Sequence, residues 1–403
     1  MKSPLSQPLP AEGKESTNTG LLKLELIASG INLGEGLPSP LTNPFGLIHL
    51  ILPEGVSVSV QQASDKQQTP FTLLHHGKRF FLNFSGKETP VQWVPPLKCY
   101  HKKTRSGILI SDILTVHSGL IAVHPKGPCR FGLSGLACRY CGSSRELSNH
   151  PPFSKQDLIE AIQTVLKETS CDVVHLSSGH VETEDGGIVW LTPWVTEIRK
   201  HIDILISLDL APPKSNSWID QSYAMGVDAV YYDLGDFAPH QVTGNKKSEE
   251  DKKRYLETIE YAARIFPKGA VLSHLVIGLE PMGDTQKGID LLVERGVVPL
   301  LVYFPPSPHS PLSERWKMKP EEVTPLYTHL FERLVQVKNT PHWVHQQDVL
   351  LTPLEGRFFS EKSAGFHLAL KKFYETGFGR KVRRSMIGIR RRLRVKHHPA
   401  GYR

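Results

Sequence analysis

Long apolar runs are missing from this sequence: none approaches the roughly 18 residues that a membrane-spanning helix requires. Cysteine is scarce, five in 403 residues, and the count is odd. That excludes a disulfide framework and points to thiols used as ligands or nucleophiles. The opening Met1-Lys-Ser-Pro-Leu-Ser-Gln-Pro lacks the apolar core and small-residue cleavage site of a secretory signal, so a cytoplasmic location is expected. Acid is missing from one region. Residues 380–403 hold ten Lys and Arg and no Asp or Glu, which leaves 38 bases against 40 acids elsewhere. The formal charge of +8 therefore sits in a basic tail on a nearly neutral body. What remains, 39% apolar and 22% charged residues, is ordinary for a globular chain.

The order of patterns predicts five segments. Residues 1–20 are polar and expected to be disordered. Residues 21–115 hold short β-rich runs, Leu21–Ile31, Leu47–Val60 and Phe71–Phe84, punctuated by Pro and Gly, and are read as a small, mostly β, N-terminal domain. From 116 to 340 six strands alternate with helices. The strands are Gly119–His124, Val173–Ser178, Ile204–Leu210, Ala229–Leu234, Val271–Leu279 and Pro299–Phe304. Helices are expected over about 154–168, with Ser154 and Asp157 as a capping pair, and over 193–201, with Thr192 as cap and Pro193 in the first turn. Others fall near 218–225, 247–265, 285–295 and 321–337. Such alternation implies an α/β fold with parallel strands and right-handed crossovers, either an open doubly wound sheet or a curved, incomplete barrel. A C-terminal extension, 341–379, and the tail, 380–403, follow.

Three of the five cysteines fall within 13 residues, in Gly127-Pro-Cys-Arg-Phe-Gly-Leu-Ser-Gly-Leu-Ala-Cys-Arg-Tyr-Cys-Gly. Cys138 and Cys141 can share one tight turn, and Cys129 returns through a loop made supple by Gly132 and Gly135. Thiolates suit zinc and iron–sulfur centres. A structural zinc would want a fourth protein ligand, for which His124 or His150 is available without a familiar spacing. A thiol redox pair would leave Cys129 unexplained. A [4Fe–4S] cluster on three cysteines would keep one iron open for a substrate. Position favours the last, because ligands in such folds gather at the carboxyl ends of parallel strands and these thiols follow the first of them.

At this point the sequence resembles the radical S-adenosylmethionine (radical SAM) superfamily, with its biotin-synthase-like barrel. That family carries three clustered cysteines after its first strand, an aromatic residue before the last of them, and a partial (β/α)6 barrel. Tyr140 fills the aromatic slot; the gap of eight residues between the first two cysteines departs from the commonest family spacing of three. Later strand ends fall in the family's order. Ser177-Ser-Gly-His-Val-Glu182 stands where the family has a Gly-Gly-Glu-like segment, so Ser178 and Gly179 are candidate contacts to S-adenosylmethionine. Asp233 ends the fourth strand, where the family often contacts the ribose. Gly278 and Glu280 match the family's fifth-strand pattern with the Glu shifted by one position.

The resemblance covers roughly 115–315 and implies a partial, TIM-like barrel behind the N-terminal domain. It implies a [4Fe–4S] cluster on Cys129, Cys138 and Cys141, and S-adenosylmethionine cleaved reductively to a 5′-deoxyadenosyl radical. That radical takes a hydrogen atom from an organic substrate, as in cofactor or small-metabolite biosynthesis. A small-molecule substrate and an electron donor such as flavodoxin or ferredoxin are implied with it. Cys99 and Cys171 are too few to ligate an auxiliary cluster unaided. The competing reading from the residues is a zinc-bearing RNA- or protein-binding module, with the cysteines as a staple and the tail as the contact.

Other residues carry weaker expectations. Cys171 and His175 read as core, Asp209 as a substrate-pocket candidate, and His180 and His274 as pocket-lining or merely polar. In the tail, Met386, Ile387, Ile389, Leu393 and Val395 interleave with arginines. That pattern suits docking on an acidic partner, RNA or a membrane surface, or a helix packed on the barrel.

Overall fold

The structure, a computed structural model, describes residues 18–63, 69–123, 151–179, 181–235, 249–278, 280–302, 319–337, 344 and 349–396. It begins with helix α1, Thr19–Ser29, capped by the Asn18 side chain on the Leu21 amide. The run Leu22-Lys-Leu-Glu-Leu26 alternates as a strand does, yet it is helical. The reason is that α1 is apolar on two sides. Leu22 and Leu26 enter the core of the small sheet while Leu24 enters the core of the larger one. Lys23 is buried too, its ammonium 2.9 Å from the carboxylate of Glu355.

A six-stranded sheet follows, built from β1 (Asn32–Leu33), β2 (Leu47–Leu52), β3 (Val56–Gln61), β4 (Phe71–His76), β5 (Arg79–Phe84) and β6 (Lys87–Val94), in the order β1-β4-β5-β6-β2-β3. All its pairings except β1 with β4 are antiparallel. Burial alternates along β2 and β3, so one face carries the core and the other meets water.

The short helix α2 (Ile110–Ile113) leads into a hairpin of β7 (Leu114–His117) and β8 (Leu120–Val123). From there strands and helices alternate: α3 (Lys155–Glu168), β9 (Val173–Ser177), α4 (Ile188–His201), β10 (Leu205–Asp209), α5 (Ser217–Ala224), β11 (Ala229–Tyr231), α6 (Glu249–Ile265), β12 (Val271–Val276), α7 (Met282–Glu294), β13 (Val298–Val302) and α8 (Pro320–Val337). Ser154 and Asp157 form the expected capping box of α3. Helix α4 starts earlier than expected: Gly187 in the left-handed region precedes it, and Pro193 lies inside the helix.

Strand order settles the architecture that periodicity left open. The sheet runs β13-β12-β11-β10-β9-β8-β7, with β8 to β13 parallel and in unbroken chain order. A doubly wound sheet reverses direction once and puts helices on both faces. Here every crossover steps the same way, and right-handed crossovers then put all the helices on one face. Neighbouring helices touch in chain order, α3 on α4, α4 on α5 and α5 on α6. The sheet curls around its other face, with β7 and β13 as its edges: an incomplete barrel within an α/β fold.

After α8 come a short 3-10 turn, Glu355–Phe359, and two helices, α9 (Gly365–Glu375) and α10 (Gly377–Lys396). Among the described residues no helix is long and apolar enough to cross a membrane.

Candidate active site

Each barrel strand is pleated, so alternate residues face the helices and the hollow. Val174 and Leu176, Ile206 and Leu208, Val230, Leu275 and Leu301 form the helix-facing set and are fully buried. The residues between them are polar and meet across the strands. His175 and Ser207 are in register and bonded, Nδ1 to Oγ, at 3.0 Å. One step towards the carboxyl ends, Ser177 and Asp209 are in register, and the Ser177 hydroxyl donates to Asp209 Oδ2 at 2.7 Å. Tyr231, beside Asp209 on β11, meets the ring of His175 edge-on at 4.8 Å and stacks on His274 at 5.4 Å.

Asp233, just past β11, holds His274 of β12 at two points. Its Oδ1 accepts from the His274 backbone N–H at 3.0 Å, and its Oδ2 accepts from the ring Nδ1 at 2.8 Å. The second bond assigns the ring proton to Nδ1, so Nε2 is the position that remains to act on a ligand. Burial alone would lower the pKa of His274, but the Asp233 carboxylate, the bond to it and the charge of Asp209 raise it. Burial, followed by the charge of Asp233, pushes Asp209 up to about 7, against the hydroxyl of Ser177. Burial and the same two carboxylates keep Tyr231 neutral, far above its ordinary value. The hollow thus holds a histidine–carboxylate pair beside a carboxyl group that changes charge near neutral pH.

The loops above are built for close approach. After β9 the chain turns through Gly179, Gly186 and Gly187, all with positive φ. A Cβ on Gly186 would lie 2.1 Å from the carbonyl oxygen of Ala211, so only glycine lets the β9 and β10 loops touch there. Ser178 is buried and its hydroxyl donates to the Gly179 and Asp209 carbonyls; the Gly179 amide donates to Ser177 Oγ. Gly278 turns the chain after β12 with φ 87°, and buried Glu280 accepts the Thr285 hydroxyl at 3.1 Å, just before α7.

Of the residues expected from the sequence, the structure brings Asp209, Asp233 and His274 to one place, with Ser178 and Gly179 at the adjoining strand end. Ser177, Ser207 and Tyr231 belong with them and were not singled out. Their signal was present as polar residues two apart at strand ends, His175 and Ser177, Ser207 and Asp209, Tyr231 and Asp233. Cys129, Cys138, Cys141, Tyr140 and His180 lie outside the described residues. Cys99 and Cys171 are buried, and burial first of all pushes both thiols up to about 12. They stay protonated and inert as ligands. Among the described residues no group of three His, Cys, Asp or Glu could hold a metal ion. The thiols of Cys129, Cys138 and Cys141, which follow β8 in the sequence, have the chemistry of an iron–sulfur donor set.

An incomplete parallel barrel with polar groups at its strand ends agrees with the architecture that the resemblance to the radical SAM superfamily implies. No protein-family model matches the sequence. A relative found by overall sequence similarity, the bacteriochlorophyllide c C-7(1)-hydroxylase of Chlorobaculum limnaeum, is 22% identical over 221 residues, 49% of this chain and 55% of the relative. The chain thus spans about half the length of that curated relative. Among solved structures, methylornithine synthase aligns over 55% of this chain and 64% of its own, with 11% identity and a TM-score of 0.41. The 5-methylcytosine deaminase of Klebsiella pneumoniae aligns over 66% of this chain and 80% of its own, with 10% identity and a TM-score of 0.27.

Proposed function

We propose that the chain is a radical SAM enzyme that binds a [4Fe–4S] cluster through Cys129, Cys138 and Cys141 and acts on a small organic molecule held in the barrel hollow. The observation that supports this best is a sequentially wound parallel sheet with ionisable groups at its carboxyl ends, reached by a chain that leaves β8 straight into the cysteine segment. When bound, the cluster supplies one electron to cleave S-adenosylmethionine, and the resulting radical removes a hydrogen atom from the substrate. The relative's name specifies hydroxylation at a carbon, which is chemistry of the kind such hydrogen removal begins.

The residues of the chain divide the remaining tasks. Ser178 and Gly179, with Gly278 and Glu280, shape the strand ends around S-adenosylmethionine, and Tyr140, next to Cys141 in the sequence, fills the family's aromatic position. Asp233 fixes the His274 ring, so that Nε2 addresses the hollow in one orientation. Asp209, titrating near neutral pH, accepts a hydrogen bond from a substrate hydroxyl or amine, or donates one when protonated. The helix-facing apolar layer keeps water from the back of the sheet. An external one-electron donor such as flavodoxin or ferredoxin completes the system, in the cytoplasm.

Anaerobically purified protein, reduced with dithionite and given S-adenosylmethionine, should be brown and form 5′-deoxyadenosine; Cys138→Ala should lose both properties. Colourless protein with stoichiometric zinc, or unchanged 5′-deoxyadenosine in the variant, overturns the reading.

A further inference from the structure

The two C-terminal helices carry a surface that the barrel does not use. In α10, Phe378, Val382, Met386 and Ile389 recur at intervals of four, four and three, which is one face of a helix, and the sequence repeats the interval at Leu393. In a chain whose other large apolar groups are mostly buried, these stand out. Phe378 is 70% exposed, Met386 54% and Ile389 57%, with Phe366 of α9 at 71%. Phe373 and Phe378 meet edge-on at 6.2 Å and continue the patch across the two helices. Helix α10 touches the body of the protein through Ile387, which leaves this face turned away from the core.

The rest of α10 is basic. Residues 377–396 contain nine Lys and Arg and no acid, and none of the nine falls on the positions of the apolar stripe from 378 to 393. An acidic peptide or a nucleic acid would answer the charge but offers little to a row of Phe, Met and Ile. A bilayer bearing anionic lipid answers both, with phosphate headgroups for the cations and acyl chains for the stripe. A helix of 20 residues is about 30 Å long and can lie flat along such a surface.

We propose that α9 and α10 dock the protein peripherally on an anionic lipid surface, with the Phe378–Ile389 stripe inserted among the headgroups and the arginines on their phosphates. This lies beyond the barrel's chemistry and does not depend on it.

The test is sedimentation of the full-length protein with vesicles of phosphatidylcholine and phosphatidylglycerol, mixed at about two to one, against phosphatidylcholine alone. Binding should need the anionic lipid and weaken by about ten-fold or more between 0.1 and 0.5 M salt. The double variant Met386→Gln, Ile389→Gln keeps every charge and changes only exposed side chains. It should melt as the parent does yet bind anionic vesicles about ten-fold more weakly. Replacing Arg391, Arg392 and Arg394 by Gln should weaken binding and flatten its salt dependence. No vesicle binding by the parent, or parental binding by the Gln pair, overturns the proposal. So does tighter binding to RNA or to an acidic peptide at equal salt.

Discussion

Asp233 grips His274 by both its backbone and its ring, with one carboxylate oxygen on each. The double contact couples the aim of a side chain on β12 to the end of β11, so the imidazole keeps one tautomer and one direction. Its pKa is raised chiefly through that carboxylate, against the effect of burial. Asp233→Asn should therefore lower the titration of His274, read by NMR on protein labelled at histidine. An unchanged titration would show that the ring takes its proton affinity from elsewhere.

Asp209 makes a second, opposite prediction. Its carboxyl is held up to about 7 by burial and by Asp233, whereas the unfolded chain ionises it near 4. Folding thus favours the protonated form. The contribution of Asp209 to stability is fully present below about pH 4 and is lost as pH rises through about 7. Asp209→Asn should remove that loss, so the melting temperature of the variant relative to the parent should rise between pH 5 and pH 8. An equal pH profile in the two proteins would contradict the placement of this carboxylate.

The two buried thiols serve as internal controls for the cluster. Cys99→Ala and Cys171→Ala should keep the full iron content and the brown colour, because neither thiol ionises near neutral pH. Each should cost about 1 kcal/mol of packing, measured by denaturant unfolding. Loss of iron in either variant would enlarge the ligand set.

Gly186→Ala should destabilise the protein by about 2–4 kcal/mol, since it adds a Cβ against the Ala211 carbonyl at a left-handed position. Gly36→Ala is the comparison, with a similar φ but open space around it, and should cost about 1 kcal/mol. Equal effects at the two sites would mean that the β9 and β10 loops can part at little cost.

Lys23→Met should cost about 3–5 kcal/mol, because it strands the buried Glu355 carboxylate, which also accepts the Thr352 amide. Glu355→Gln on that background should restore part of the loss. A lack of recovery would show that the ammonium matters for more than its partner.

How much of this was written in the sequence depends on the range over which each feature is decided. The strand–helix alternation was legible because each element carries its own period, and the capping box of α3 was legible because Ser154 and Asp157 are neighbours. Helix α1 was misread as a strand because a helix that fills two cores loses its single apolar stripe, and Leu22-Lys-Leu-Glu-Leu26 then mimics a period of two. The start of α4 was misplaced because Pro193, a good first-turn residue, lies inside the helix, past its first turn. The barrel, as against the open sheet, was illegible in any window, since it depends on which strands adjoin. Asp209 and Asp233 could each be suspected, but their electrostatic contact arises only from the neighbouring of β10 and β11. Ser177 was read as part of the strand Val173–Ser178, and its register with Asp209 is what makes it a hydrogen-bond donor in the site.

The bridge from Lys23 to Glu355 joins positions 332 apart, and Asn18 reaches across to the Phe358 carbonyl in the same place. During translation α1 is made well before its partner turn, so the small sheet and the barrel are clasped only once residues near 355 have left the ribosome. Until then Lys23 lacks the carboxylate that pairs with it in the folded chain. A chain stalled after β13 would carry a finished-looking barrel with its clasp open, and such intermediates are natural clients for a chaperone.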